Sequence, residues 1–583
     1  MNRNEKLRTA AVLAIFTTLF LALSVASFTR TSATYDESLH LTTGYMEWKY
    51  GDYRFDPEHP PFQRMWDALP LFFMSDVHPA PDIADKVDQF NWIGYGQFET
   101  AHQFLYKAND ADRLLDAGRF MTALLGVLLG ILLFCWTREW LGFWPAVAGL
   151  AMYSFEPNIL AHSSLVTTDF SITCFLFGSA YFLWRLSRRL SVANVAGAAI
   201  FCALAVVSKF SAIVLIPIVP VLLAVCIFRQ ASWTCSVRSV GEMVSQRIRL
   251  AAAAIILLLV GLSCWAGIWA AYGFRYAPGA NGGWSFDPAQ NGAVRGNAPT
   301  LAAVVKRIDS TRLLPNAYVQ GFLFGQQKST GRVAYLTGKV SKNGWWYFFP
   351  VAFAIKTPTT LIFLFLGGLT LMGFRWRSIA KDAAFVLVPP AIFLVAAMNS
   401  NLNIGLRHIL PIYPFVILLA AFCSTVMVRS RRQFFRIALI LCFCFWLFEF
   451  ASVYPHTLAF FNQTVGGPAN GYKYLADSNL DWGQDLKPLK EWMDQNGVQR
   501  INLAYFGTAD PLYYHMQCTY LPGSPFFDEA LESAPQTPGY LAISVTNLDG
   551  VYLTSLERVF YAPLKNRQPV AVIGYSIFVY RLE

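Results

Sequence analysis

Residues 9–37 read TAAVLAIFTTLFLALSVASFTRTSATYDE. The run from 9 to 28 holds no charged residue, and about twenty apolar residues are what one helix needs to cross a hydrocarbon layer of about 30 Å. A short polar link follows, then two adjacent acids, Asp36 and Glu37. Val25-Ala26-Ser27 resembles a weak signal-cleavage site. The run is long and the acids follow closely, so it reads as an uncleaved first span, and the acidic pair stands where that helix leaves the membrane.

The rest of the chain repeats the pattern. Of its 583 residues 55% are hydrophobic and only 14% charged, too apolar a mixture for a soluble globular protein. Further apolar runs lie at 119–136, 142–159, 168–184, 192–208, 211–228, 250–272, 349–373, 383–398, 408–428 and 434–451. That gives about eleven spans, some interrupted by Pro217, Pro220, Pro389, Pro390 and Pro411. The expected fold is mainly α and polytopic over 1–451, with long outer segments at 29–118 and 273–348. The first is aromatic and should form short amphipathic helices on the membrane surface, with Trp48, Trp66, Phe72, Phe73 and Trp92 at the interface. Beyond 451 the apolar runs shorten to strand length at 501–506, 540–545 and 570–575, and 485–495 reads as an amphipathic helix. Residues 452–583 therefore read as a small α/β extracytoplasmic domain.

Orientation follows from the basic residues. With the amino terminus inside, the short inner segments carry eighteen Lys and Arg against four acids, Glu5, Glu139, Glu242 and Asp382. The basic balance of the chain, +10 overall, thus reflects membrane orientation and not nucleic-acid binding. All eight histidines fall on the outer side or at its boundary. Of ten cysteines only Cys518 lies in the outer carboxyl-terminal region, which argues against a disulfide framework or zinc cluster.

Polar chemistry therefore gathers on the outer face. The stretch from Tyr35 to Pro61 pairs Asp36 and Glu37 with Glu58-His59-Pro60-Pro61; its plain reading is a solvated loop. Adjacent acids beside an apolar medium oppose each other's ionisation, which suits a general base, and two prolines stiffen the backbone after His59. Asp169, in Thr167-Thr168-Asp169, reads equally as a helix cap and as an ionisable group facing a cavity. Lys209 reads as a snorkelling lysine or an anion ligand. Lys356 lies inside an apolar run, where a lone cation needs an anion, and Arg407, followed by His408, offers a planar fork suited to phosphate. Such an arrangement suits a reaction between a lipid-phosphate substrate and an extracytoplasmic acceptor, acids taking a proton and cations steadying a departing phosphate. Asp477, Asp481 and Asp485 recur every four residues; a capped helix is the plain reading, and calcium is conceivable although the spacing is not that of an EF-hand.

Four motifs carry a resemblance: Tyr35-Asp36-Glu37, Glu58-His59-Pro60-Pro61, His162 through Asp169, and Arg407-His408. In these the chain resembles the GT-C membrane glycosyltransferases, nearest the branch of protein O-mannosyltransferases and lipid A aminoarabinose transferases. The resemblance implies inverting transfer of a monosaccharide from a polyprenyl-phosphate donor to an extracytoplasmic protein, lipid or glycan, in an inner (plasma) membrane. Asp36 would then be the base, with Glu37 and Glu58 shaping the pocket and His59, Lys356, Arg407 and His408 candidates for the lipid phosphate; Asp169 and Lys209 rank behind them. Relatives often carry Lys where this chain has His59, so a phosphate contact there would depend on pH. The segments 454–456, 466–471 and 477–486 resemble uncharacterised bacterial members. No cofactor is expected, and a divalent cation is left open. The rival reading is a polytopic transporter or lipid-linked-sugar flippase, which would need charges near the midplane in two related halves; a glycan-binding module on a membrane anchor would not need so many spans.

Overall fold

The computed structural model describes residues 3–79, 96–228, 232–235, 242–279, 299–329, 331–430, 432–524, 531–532 and 534–583. Every one of the apolar runs is helical, but their lengths differ. Among the described residues seven helices are long and apolar enough to cross a membrane: Arg3–Phe28, Ala111–Leu141, Phe210–Phe228, Gln246–Ala271, Ala380–Met398, Leu406–Arg429 and Gln433–Ala451. An eighth span is counted if the pair Phe348–Lys356 and Thr359–Phe374, bent by 116°, is taken as one.

The departures have local causes. The run at 142–159 stops at Ser154, because Glu156, which precedes Pro157, is extended at ψ 113°. Its twelve residues rise only about 18 Å, short of a full crossing. At the 116° bend Thr357 is extended before Pro358, and Glu449 recaps the second half by accepting from Thr359 N at 2.9 Å and Thr359 Oγ1 at 2.8 Å.

Two sets of contacts mark the two ends of the bundle. At one end Arg138 donates to Thr9 Oγ1 at 2.8 Å, and Arg185 pairs with Glu139 at 3.4 Å and Arg188 with Asp382 at 2.9 Å. These are the segments that charge assigned to the inside. Arg119, nineteen residues earlier on the helix that carries Arg138 and so about 28 Å away along its axis, binds Glu37 at the other end.

The helix Glu37–Tyr50 does not lie on the membrane surface as expected: all residues from Glu37 to Glu47 are buried. The reason is the carboxyl-terminal domain. Its five-stranded sheet runs in the order 517–520, 500–504, 539–544, 577–582, 571–573, the first three mutually parallel and the last three antiparallel. Leu486, Leu489, Ile501, Leu503 and Val579 share one apolar core with Leu39, Leu41, Tyr45 and Met46. The neighbouring helix Phe62–Phe73 keeps an exposed apolar edge, with Phe72 and Phe73 outward; Trp48 is 40% exposed, Trp66 is half-buried, and Trp92 lies outside the described residues. The three aspartates at 477, 481 and 485 share no helical face: 477–479 is one turn of 3-10 helix and the α-helix starts at Leu486.

The two first-loop helices touch backbone to backbone at Gly44, where an added Cβ would stand 2.0 Å from the carbonyl oxygen of Arg64. Replacing it with alanine gains about 1 kcal/mol of helix propensity but forces the helices apart, at about 1–3 kcal/mol or more. Gly44→Ala should lower the thermal unfolding midpoint in detergent, and an unchanged or raised midpoint would contradict this packing.

Candidate active site

Asp36 occupies the N-cap position of the helix Glu37–Tyr50, yet its side chain makes no capping bond. Instead it reaches Arg407, with Nη1 to Oδ2 at 3.3 Å, and is 28% exposed. The same Nη1 lies 3.3 Å from Asp169 Oδ2. Asp169 in turn accepts from Lys209 Nζ; Thr167 holds the N-cap position of its helix without a side-chain capping bond, and the Asp169 carboxylate serves the ion-pair chain. Asp36, Arg407, Asp169 and Lys209, which are far apart in sequence, thus form one linked row.

This row stands between two cavities. The larger, about 640 Å³, is polar: Asp36, His40, Glu58, His59, Lys209, Arg332, Arg407, His408, Asp477, Trp482 and Tyr552 are among its lining residues. The smaller, about 460 Å³, shares Glu58, His59, Lys209, Arg407 and His408, adds Asp169 and a few Ser, Asn and Gln side chains, and is walled over most of the rest by apolar side chains such as Ile172, Phe210, Ile213, Val214, Phe349 and Phe393. Buried nitrogens without a partner point to the shared wall: Arg407 Nε and His408 Nε2. A charge-bearing group straddling the two cavities would meet these donors.

Glu58 pairs with Arg332 at 2.9 Å; burial raises its carboxyl above the ordinary range against the pull of Arg332. His59 packs edge-on against His40, ring centroids 5.5 Å apart. Burial, reinforced by the Lys209 charge, holds its imidazole well below the usual value, so at neutral pH His59 is an uncharged ligand.

Two sequence-level candidates stand elsewhere. Glu37 is fully buried, takes both a 2.6 Å and a 2.9 Å bond from Arg119, and accepts from Thr34 N at 2.8 Å and Val166 N at 2.9 Å. Burial alone would raise its carboxyl, but Arg119 and these N–H groups bring it below the ordinary value of 4.5. Lys356 was expected to need an anion; it donates to the carbonyl oxygens of Leu458 at 2.9 Å and of Asn479 and lies 4.7 Å from the Phe461 ring centroid. Neither is among the residues that line the two cavities. The geometry therefore makes Glu37 and Lys356 bracing residues of the site's framework.

Residues 112–265 match the family described as dolichyl-phosphate-mannose-protein mannosyltransferase. The match spans about a quarter of the chain. No curated protein matches it in sequence. In fold the chain is similar to ArnT from Cupriavidus metallidurans bound to undecaprenyl phosphate, at 11% identity over 97% of each chain with a TM-score of 0.45. It is also similar to the apo oligosaccharyltransferase of Archaeoglobus fulgidus, at 14% identity over 84% of this chain and 58% of that one, TM-score 0.46. A third likeness is to the S. cerevisiae protein O-mannosyltransferase Pmt1-Pmt2 complex bound to the sugar donor, at 15% identity over 48% of this chain and 35% of that one, TM-score 0.33.

Several residues that line the two cavities were not singled out in the sequence. Trp482 lays its ring 4.1 Å from the Arg407 guanidinium carbon, and its carbonyl accepts from Tyr35 N at 2.8 Å. One residue so braces both Arg407 and the segment that carries Asp36. Arg332 and Tyr552 likewise reach the larger cavity from segments remote in sequence. The only sequence signal for Trp482 was its place among the clustered acids at 477–485. Among the described residues no group of three or more His, Cys, Asp or Glu is placed to hold a metal ion.

Proposed function

We propose that this enzyme moves a monosaccharide from a polyprenyl-phosphate carrier to an acceptor on the extracytoplasmic side, with inversion at the anomeric carbon. The observation that carries the reading is the row Asp36–Arg407–Asp169–Lys209 at the junction of a polar and an apolar cavity. The isoprenoid chain suits the apolar cavity, which opens among membrane helices. Its phosphate suits the shared wall, where Arg407, Lys209 and His408 supply charge and donors and His59 a neutral ligand. The sugar and the acceptor then occupy the polar cavity.

In this reading Asp36, joined to the phosphate wall through Arg407, is the base. It takes the proton of the acceptor as the acceptor oxygen or nitrogen attacks the anomeric carbon. The bond from that carbon to the phosphate oxygen breaks, and the lipid phosphate leaves with the electron pair, its charge met by Arg407. Attack and departure on opposite faces give inversion. The inner segments rich in Lys and Arg support an outward-facing site.

Full-length protein in liposomes, given a panel of labelled polyprenyl-phosphate sugars, should consume one of them and release polyprenyl phosphate. Losing a charge-assisted contact costs about 1.5–3 kcal/mol, so Arg407→Ala should raise the donor KM or lower kcat/KM by about 10- to 100-fold. Failure to consume any donor, or an Arg407→Ala variant with unchanged constants, would overturn the reading.

A further inference from the structure

Asp477 stands in the left-handed region at φ +57°, where a side chain with a Cβ is strained. Such strain persists where the surroundings over-determine it, commonly at functional sites. Here they do. Asp477 N donates to Thr546 Oγ1 at 3.2 Å, and the Asp477 carbonyl accepts from Leu480 N and Asp481 N at 2.9 and 3.0 Å. The next two residues grip the turn before Arg407: Ser478 Oγ donates to the Ile404 carbonyl at 3.1 Å, and Asn479 Oδ1 accepts from Leu406 N at 2.9 Å.

The outcome is a carboxylate on the wall of the larger cavity, which Asp36 and Arg407 also line. Ser478 N binds one of its oxygens and the Tyr552 hydroxyl the other; each keeps capacity to accept another bond. Among the described residues no Lys or Arg forms an ion pair with it. The Tyr552 ring stacks on Phe506 at 5.4 Å, and Phe506 on Tyr35 at 5.2 Å, so a ladder of three rings runs from Asp477 to the residue before Asp36. The cavity's acids and its Lys and Arg nearly balance in number, leaving no field of one sign to gather a charged acceptor.

We propose that Asp477 and Tyr552 bind the acceptor, that the acceptor bears neighbouring hydroxyls, and that the carboxyl-terminal domain thereby completes the active site. Asp477 accepts a hydrogen bond from a hydroxyl beside the reacting one, which orients the reacting oxygen toward Asp36. This rests on the transfer reading above.

The test uses full-length protein in liposomes, the labelled donor that the parent consumes, and glycerol and methyl glucoside as acceptor probes. Asp477→Gly removes the carboxylate but suits a positive φ, which offsets part of what losing the Ser478 and Tyr552 bonds costs, so the variant should still fold and unfold cooperatively. Its KM for methyl glucoside should rise at least tenfold while the donor KM stays put, and Tyr552→Phe should show a smaller rise of the same kind. Donor and acceptor constants changing together, neither changing, or a parent that uses the donor but glycosylates neither polyol would each overturn the proposal. A parent that consumes no lipid donor at all fails the transfer reading instead, and is told apart by that first assay.

Discussion

Asp36→Asn should fold, insert and unfold at the parent's temperature, yet transfer sugar about a thousandfold more slowly. A positioned base contributes about 10²- to 10⁴-fold to such a step, and asparagine keeps the shape while losing the proton acceptor. Stability should be spared because Asp36 makes no capping bond and its one ion pair, at 3.3 Å, is partly exposed; pairs of that kind contribute about 0–1 kcal/mol. Asp36→Glu retains a carboxylate one methylene out of place and should fall between the two. Turnover by Asp36→Asn within tenfold of the parent would remove Asp36 as the base.

The neighbouring acid should behave in the opposite way. Glu37→Ala leaves the buried Arg119 guanidinium with only the long 3.8 Å pair to Asp116 for counter-charge and strips Thr34 N and Val166 N of their acceptor. Breaking a buried pair by removing one partner costs about 3–5 kcal/mol. Arg119 also donates to the carbonyls of Phe28, Thr31 and Ser32, so the loss spreads to the exit of the first helix. The expected result is a sharply lowered midpoint and little folded protein, with near-parental turnover in whatever remains folded. Removing both charges, as in the double variant Glu37→Leu with Arg119→Leu, should restore part of the stability. The pH dependence has a definite sign: the folded carboxyl lies below its ordinary value of 4.5, so the contribution is complete above that pH and is lost as pH falls through the lower folded value. A Glu37→Ala protein as stable as its parent would contradict the buried pair.

Adjacent acids with such different fates show what the sequence could and could not convey. Apolar runs and Lys/Arg placement located the helices and their two ends, because both are local or additive signals. The strands 500–504 and 539–544 were legible for the same reason, whereas 517–520, four mixed residues at the sheet edge, carry too little pattern. Partner choice is not local. Nothing near Glu37 points to Arg119, eighty-two residues on, and nothing near Lys356 says that carbonyl oxygens, not an anion, will meet its charge. The resemblance drew attention to Asp36 and Arg407, but Trp482, which braces both, lies in a region where the motifs offered no role.

The segment entering the site, Ser32 to Tyr35, is hydrogen-bonded to Gln484 and Trp482. Ribosomes add about 5–20 residues each second, so the loop bearing Asp36 waits roughly 20–90 s after its own synthesis for those partners. The nascent chain therefore lacks the braced first loop until its last part is made. On the transfer reading, the geometry around Asp36 forms only when residues 482–484 have been made and have packed against the first loop, and a chain cut short before residue 482 should insert without transferring sugar.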